Sequence, residues 1–207
     1  MSPRVSEEHK EQRRSNILRA AKDVFIEHGY EKTTMKDIMD SANVSRGGLY
    51  QYFSNKEVVY ETILEEALAE SLEKTLDLLR GDIPSFWELL LASIFGPGGQ
   101  PNDNMDPLAP SNIEFFMTGR GDERRRKYGK IRYYNAIKLY AEILEQGQKK
   151  GEFNDTFDPD IMSRAIITFM DGLSLEHSIL PEEDVRVKEQ AILFVEFLKR
   201  SLGVEGN

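Results

Sequence analysis

Arg46 and Gln51 are long enough, and suitably placed, to hydrogen-bond base edges in the major groove of a duplex. Gly47, Gly48 and Tyr50 share their outward side of a short segment. Leu49 and Tyr52, three residues apart, make its inward side. Two glycines cost such a helix roughly 1 kcal/mol each relative to alanine. Close approach of backbone to a nucleic acid, or tight packing against a neighbouring helix, would offset that cost. Thr33, Thr34, Ser45 and Lys56 fall at helix starts around this segment, where hydroxyls, an ammonium and free backbone N–H groups suit phosphate oxygens. No acidic residue lies between Asp40 and Glu57, although the whole chain carries a formal charge of -9. An acid-free patch on an acidic protein fits a polyanionic partner.

Short helices must position these groups. Ile38 and Ala42 are four apart on one helix face, and Asn43 tolerates the left-handed turn that follows. Val44 plugs that turn, and Ser45 caps the next helix. A leading helix from about Arg13 to His28, with Ile17, Leu18, Ala21, Val24 and Phe25 as its stripe, ends at Gly29. Thr33 or Thr34 starts the second helix. Arg4, Lys10, Arg13 and Arg14 form a basic arm ahead of the first helix, either a minor-groove reader or a disordered tail.

The run Thr33-Thr34-Met35-x-x-Ile38, then Ala42-x-Val44-Ser45-x-Gly47-x-Leu49-Tyr50-x-Tyr52-Phe53-x-x-Lys56-Glu57, resembles the signature of the TetR family of bacterial transcriptional regulators. The resemblance covers residues 12–60. It implies a DNA-binding head, a phosphate contact by Tyr50, and a helical body holding a small-molecule pocket. It also implies repression, since most members of that family repress.

Charge divides unevenly. Residues 1–57 hold 10 Lys/Arg against 9 Asp/Glu, and the remainder holds 17 against 27. DNA would repel such a body and face the head. The basic run Arg124-Arg125-Arg126-Lys127 opens a helix in the body and reads as a solvated face paired with carboxylates. No stretch approaches the roughly 18 apolar residues of a membrane span. The chain has no cysteine, hence no disulfide or thiolate site. A cytoplasmic protein without membrane contact is expected.

The rest predicts an all-α chain: a three-helix head over residues 1–57 and a larger helical body over 58–207. A long helix opens at Asn55-Lys56-Glu57 and runs to about Arg80, and the chain breaks at Gly81 to Pro84. Residues 96–110 form a Gly/Pro/Asn/Asp-rich loop, mobile or part of a pocket lid. Asp122 to Lys150 is a long helix, and Asp158-Pro159 opens another. Pro181 and Glu182 start the last. Trp87, Phe116, Tyr140, Phe169 and Asp171 are the candidate pocket residues, although aromatics at helical spacing are usually core. The last two helices are apolar over more than one face, so a partner must cover the surplus. Phe169, Leu173, Ala191, Phe194 and Leu198 are the candidate contacts of a homodimer.

Nothing points to catalysis. The three histidines are far apart, and no nucleophile, phosphate-loop or dinucleotide motif occurs. No metal or cofactor is expected. The sequence therefore reads as a regulator of double-stranded DNA, released by an unidentified small-molecule effector, and not an enzyme. The rival is a ligand-sequestering or protein-binding helical module that has kept the head without regulating genes.

Overall fold

The computed structural model describes residues 7–80 and 85–204, without the side chains of 74, 76–80 and 182. Within them the chain is helical, in the order α1 (Glu7–His28), α2 (Met35–Ala42), α3 (Arg46–Tyr50), α4 (Lys56–Arg80), α5 (Phe86–Phe95), α6 (Ala109–Thr118), α7 (Glu123–Lys149), α8 (Pro159–Ile179), α9 (Glu182–Val185) and α10 (Val187–Leu202). A 3-10 turn, Gly119–Gly121, joins α6 to α7. The expectations for Arg4 and for the break at Gly81 to Pro84 lie outside the described residues. Lys10, Arg13 and Arg14 belong to α1, not to an arm before it.

Local chemistry sets the helix ends. Thr34 caps α2, accepting from Asp37 N while the Asp37 carboxylate accepts from Thr34 N at 2.8 Å. Such a reciprocal cap satisfies two donors that the first helical turn cannot. Asp122 and Asp158 cap α7 and α8. The last segment does not form one helix from Pro181: Arg186 takes a left-handed conformation (φ 51°) and separates α9 from α10. Val185 and Val187 are both buried on either side of that kink, which lets the chain turn without exposing them.

The first hydrophobic core does not stop at residue 57. Ile17, Phe25, Ile38 and Leu49 pack with Tyr60 and Leu64 of α4 and with Phe115 of α6. The ring centroids of Phe25 and Tyr60 are 4.7 Å apart, and those of Tyr30 and Phe115 are 4.9 Å apart. Each such pair contributes about 0.5–1.5 kcal/mol beyond area burial. Burial pushes the Tyr30 phenol up to about 12 and the Tyr60 phenol higher still, so both remain neutral. A second core joins α5, α7, α8 and α10 through Leu90, Ile143, Leu144, Ile166 and Leu198. Gly147 is required there: a Cβ at this position would fall on the Phe153 ring.

Glu152, in the turn after α7, ties α5 into this second core. Its carboxylate accepts from Ser85 Oγ (2.6 Å), Phe86 N (2.7 Å) and Trp87 N (2.9 Å). Burial opposes ionisation of Glu152, but these three donors outweigh it and hold the carboxyl below its ordinary value. A depressed carboxyl stabilises the fold above its unfolded-state pKa of about 4.3 and loses that contribution as pH falls through the folded value. Glu152→Ala should therefore cost about 1 kcal/mol at neutral pH, as loss of a partly exposed helix cap does, and progressively less as the pH is lowered through the carboxylate range. Thermal unfolding of both proteins across that pH range measures the difference.

Candidate nucleic-acid interface and effector cavity

Asn43 ends α2 in the left-handed region (φ 50°), and its backbone N–H donates to Asp40 O and Met39 O. Ser45 then starts α3, accepting from Gly48 N at 3.2 Å. Leu49 and Ile38 are fully buried, which fixes the rotation of α3 on α2. Arg46, Gly47, Tyr50 and Gln51 are consequently all exposed on the opposite side. The Arg46 guanidinium lies 5.5 Å from the centroid of the Tyr50 ring, a stacking that extends both side chains along α3.

The two glycines separate here. A Cβ at Gly47 would meet nothing within 4 Å, so internal packing gives no reason for glycine at that position. A Cβ at Gly48 would stand 2.8 Å from a guanidinium nitrogen of Arg13. Arg13 of α1 thus lies over the start of α3, a cation at the interface that only the folded arrangement reveals. Arg14 points elsewhere, pairing with Glu66 of α4 at 2.6 Å.

One expected phosphate contact is corrected, and a second residue has bonds within the protomer. Thr33 is 1% exposed, and its hydroxyl donates to Gly29 O at 2.6 Å. It closes the corner between α1 and α2. Lys56 donates to Tyr30 O (2.8 Å) and Glu31 O (2.9 Å) and stands 4.5 Å over the Tyr30 ring. Its ammonium holds α4 against the same corner, and partial burial lowers its pKa. Thr34 is exposed, but its hydroxyl is committed to Asp37 at 2.7 Å.

Body and head are joined through α6 and the start of α7. Ser111 Oγ donates to Phe25 O (2.7 Å), Tyr60 Oη to Asn112 Oδ1 (2.7 Å), and Glu31 N to Glu114 Oε2 (2.9 Å). Arg124 pairs with Glu57 and Glu61, in keeping with a basic run matched by carboxylates. Arg125 instead turns inward, donating to Phe115 O and stacking 4.5 Å from the Phe115 centroid.

A cavity of about 200 Å³ opens between the end of α5, the loop before α6, α8 and the start of α10. Of the five residues expected to line a pocket, Phe169 lines this one. Tyr140 is buried just behind, with its hydroxyl on Ser93 O at 3.2 Å. Phe116 packs into the head's core, and Trp87 against the second core. Asp171 is exposed. Three expected dimer contacts are also corrected: Leu173, Ala191 and Leu198 are buried within the protomer. Phe169 and Phe194 stack on each other at 3.9 Å and are half-buried.

Comparison with known proteins settles what kind of head this is. The family model for bacterial regulatory proteins of the tetR family matches residues 17–63, and one for a tetracyclin repressor-like C-terminal domain matches residues 100–188. A Bacillus subtilis protein described as an uncharacterized HTH-type transcriptional regulator, YfiR, is 34% identical over 187 residues, covering 90% of each chain. The chain belongs to the TetR family. The HTH-type transcriptional repressor KstR2 of Mycolicibacterium smegmatis is 26% identical over 74% of each chain. The Bacillus subtilis regulator FadR, solved with stearoyl-CoA, superposes with a TM-score of 0.69 at 19% identity, over 90% of this chain and 98% of that one. As a TetR-family member, this protein is a DNA-binding transcriptional regulator with α2 and α3 as its helix-turn-helix. Among the described residues, no helix is long and apolar enough to cross a membrane.

Proposed function

We propose that this TetR-family regulator binds a near-palindromic operator as a two-fold dimer, represses from it in the cytoplasm, and leaves it when a small molecule enters the α5–α8–α10 cavity. The head, residues 1–57, reads the DNA, and residues 58–207 hold effector and partner. One observation carries the reading: a capped α3 presents Arg46, Gly47 and Gln51 together on an exposed face free of carboxylates between residues 41 and 56. Arg46 and Gln51 take base edges, while Ser45, Tyr50 and the exposed backbone near Thr34 lie toward phosphates. Repression follows the precedent of KstR2, which is described as a repressor.

Dimerisation rests on an apolar stripe that the protomer leaves uncovered. On α8 it comprises Ile161, Ala165, Thr168, Gly172, Leu175 and Ile179, alternating four and three residues apart, with Ile161 60% and Ile179 70% exposed. On α10 it continues as Ile192, Leu193 and Phe197. Small residues at the centre let two helices approach closely, and nothing lies within 4 Å of a Cβ at Gly172. Two such helix pairs across a two-fold axis make a four-helix bundle.

Arg46→Ala tests the DNA assignment. Loss of a base-edge contact should weaken binding to the preferred duplex by about 1–3 kcal/mol and relax selection at one base position. Binding-site selection from a random duplex pool, followed by titration, measures both. A protein that takes up small molecules yet shows no sequence preference would instead be a sequestering module.

A further inference from the structure

We infer that the cavity takes a compact apolar molecule bearing a single positive charge, and that this charge acts by engaging Asp106 at the start of α6. The inference rests on the reading of this cavity as the effector site. Phe95 and Phe169 contribute aromatic surface, and Met105 and Met170 contribute polarisable sulfur. Asp106 is the charged side chain among the described lining residues, none of which is basic. An anion would find no counter-charge here and would meet a carboxylate. A cation finds both the carboxylate and aromatic surface. At about 200 Å³, the space suits a substituted benzene and not a coenzyme thioester.

Asp106 also has a structural task, which joins binding to response. Its carboxylate accepts from Leu108 N at 3.0 Å, and its carbonyl from Ala109 N at 2.8 Å, so it turns the chain into α6. Leu108 supplies no side-chain cap to that helix. A cation that draws the Asp106 carboxylate toward itself competes with this turn. The helix it starts grips the head through Ser111, Asn112 and Glu114, and Thr118 adds a hydroxyl bond to Glu31 at 2.8 Å. Movement at Asp106 therefore reaches the end of α1, the corner from which α2 and α3 are hung.

Three probes of matched size separate the possibilities: benzyltrimethylammonium, the neutral 4-phenylbutan-2-one, and the anionic 3-phenylpropanoate. Each is titrated into the full-length protein by calorimetry, and separately into its complex with a selected duplex. The cation should bind about tenfold more tightly than the ketone, the propanoate should bind most weakly, and the cation should release the duplex. Asp106→Asn keeps an acceptor for Leu108 N, so it should fold like the parent and bind the cation about tenfold more weakly, with the ketone unaffected. Equal cation affinity in parent and variant would overturn the role of Asp106. Preference for the ketone or propanoate in the parent overturns the charge assignment by itself; should that probe release the duplex, the effector reading survives. A cation that binds through Asp106 without releasing DNA would support the ligand class and overturn the effector reading.

Discussion

Replacing Leu193 and Phe197 together by glutamate is expected to leave a folded monomer that holds its operator at least about a thousandfold more weakly. Both side chains are more than half exposed, at 55% and 56%, so their loss opens no cavity in the protomer. Full burial of a leucine or phenylalanine is worth about 1.5–3 kcal/mol, and each change occurs twice across a two-fold axis. The variant also sets four carboxylates against one another in the interface, where like charges cost several kcal/mol. A single head then faces one half-site with a handful of contacts, and the avidity that a linked second head supplies, about 10²–10⁴ in affinity, is gone. Sedimentation equilibrium and operator titration read the two effects. An unaltered dimer would place the interface elsewhere. Leu198→Glu is the control: at 2% exposure, that side chain belongs to the second core, and its change should unfold the protein.

The contrast between Leu193 and Leu198 shows where the sequence alone runs out. The helix-turn-helix was legible because its determinants are local: the Thr34 cap, the left-handed Asn43, the Ser45 cap, and the Ile38 and Leu49 spacing all act within a few residues. The all-helical body, the continuous α4 and the start of α8 at Asp158-Pro159 were legible for the same reason. On α8 and α10, by contrast, both the inward and outward stripes are apolar. Composition cannot rank two apolar faces. The regular 161/165/168/172/175/179 series, with small residues at its middle, was the signal that marks the outward one. The 96–110 loop was legible as a possible pocket element, but which of its residues line the cavity was not, because Asn102, Asn104, Met105 and Asp106 lie in a segment without period, placed by tertiary contacts. Lys56 escaped because the carbonyls it holds, those of Tyr30 and Glu31, come near only after α1 and α4 have packed. Thr33 escaped because a hydroxyl at a helix start reads equally well as a phosphate contact or as a bond to a carbonyl one turn back, here Gly29 O. Arg13 differs again: it was noticed as a cation, but its place over Gly48 depends on how α1 crosses α3.

Gly47 offers a test in which stability and function should move in opposite directions. Glycine inside a helix costs roughly 1 kcal/mol relative to alanine, and the space around position 47 is open, so Gly47→Ala should raise the unfolding midpoint. Were the residue there for folding, nothing would be lost. If instead α3 lies with this backbone against the edge of the bases, an added methyl pushes the helix outward, and bonds from Arg46 and Gln51 lengthen together. Loss of even one good base-edge contact costs about 1–3 kcal/mol, so Gly47→Ala should weaken operator binding at least about tenfold, and Gly47→Leu more than about a hundredfold. Both variants should remain at least as stable as the parent and keep their dimers. Weak binding by a more stable head then points to the groove side, since among the described residues nothing lies within 4 Å of a Cβ at this position. Operator affinity unchanged in Gly47→Leu would mean that α3 does not face the bases through this residue, and the assignment of Arg46 and Gln51 would fall with it.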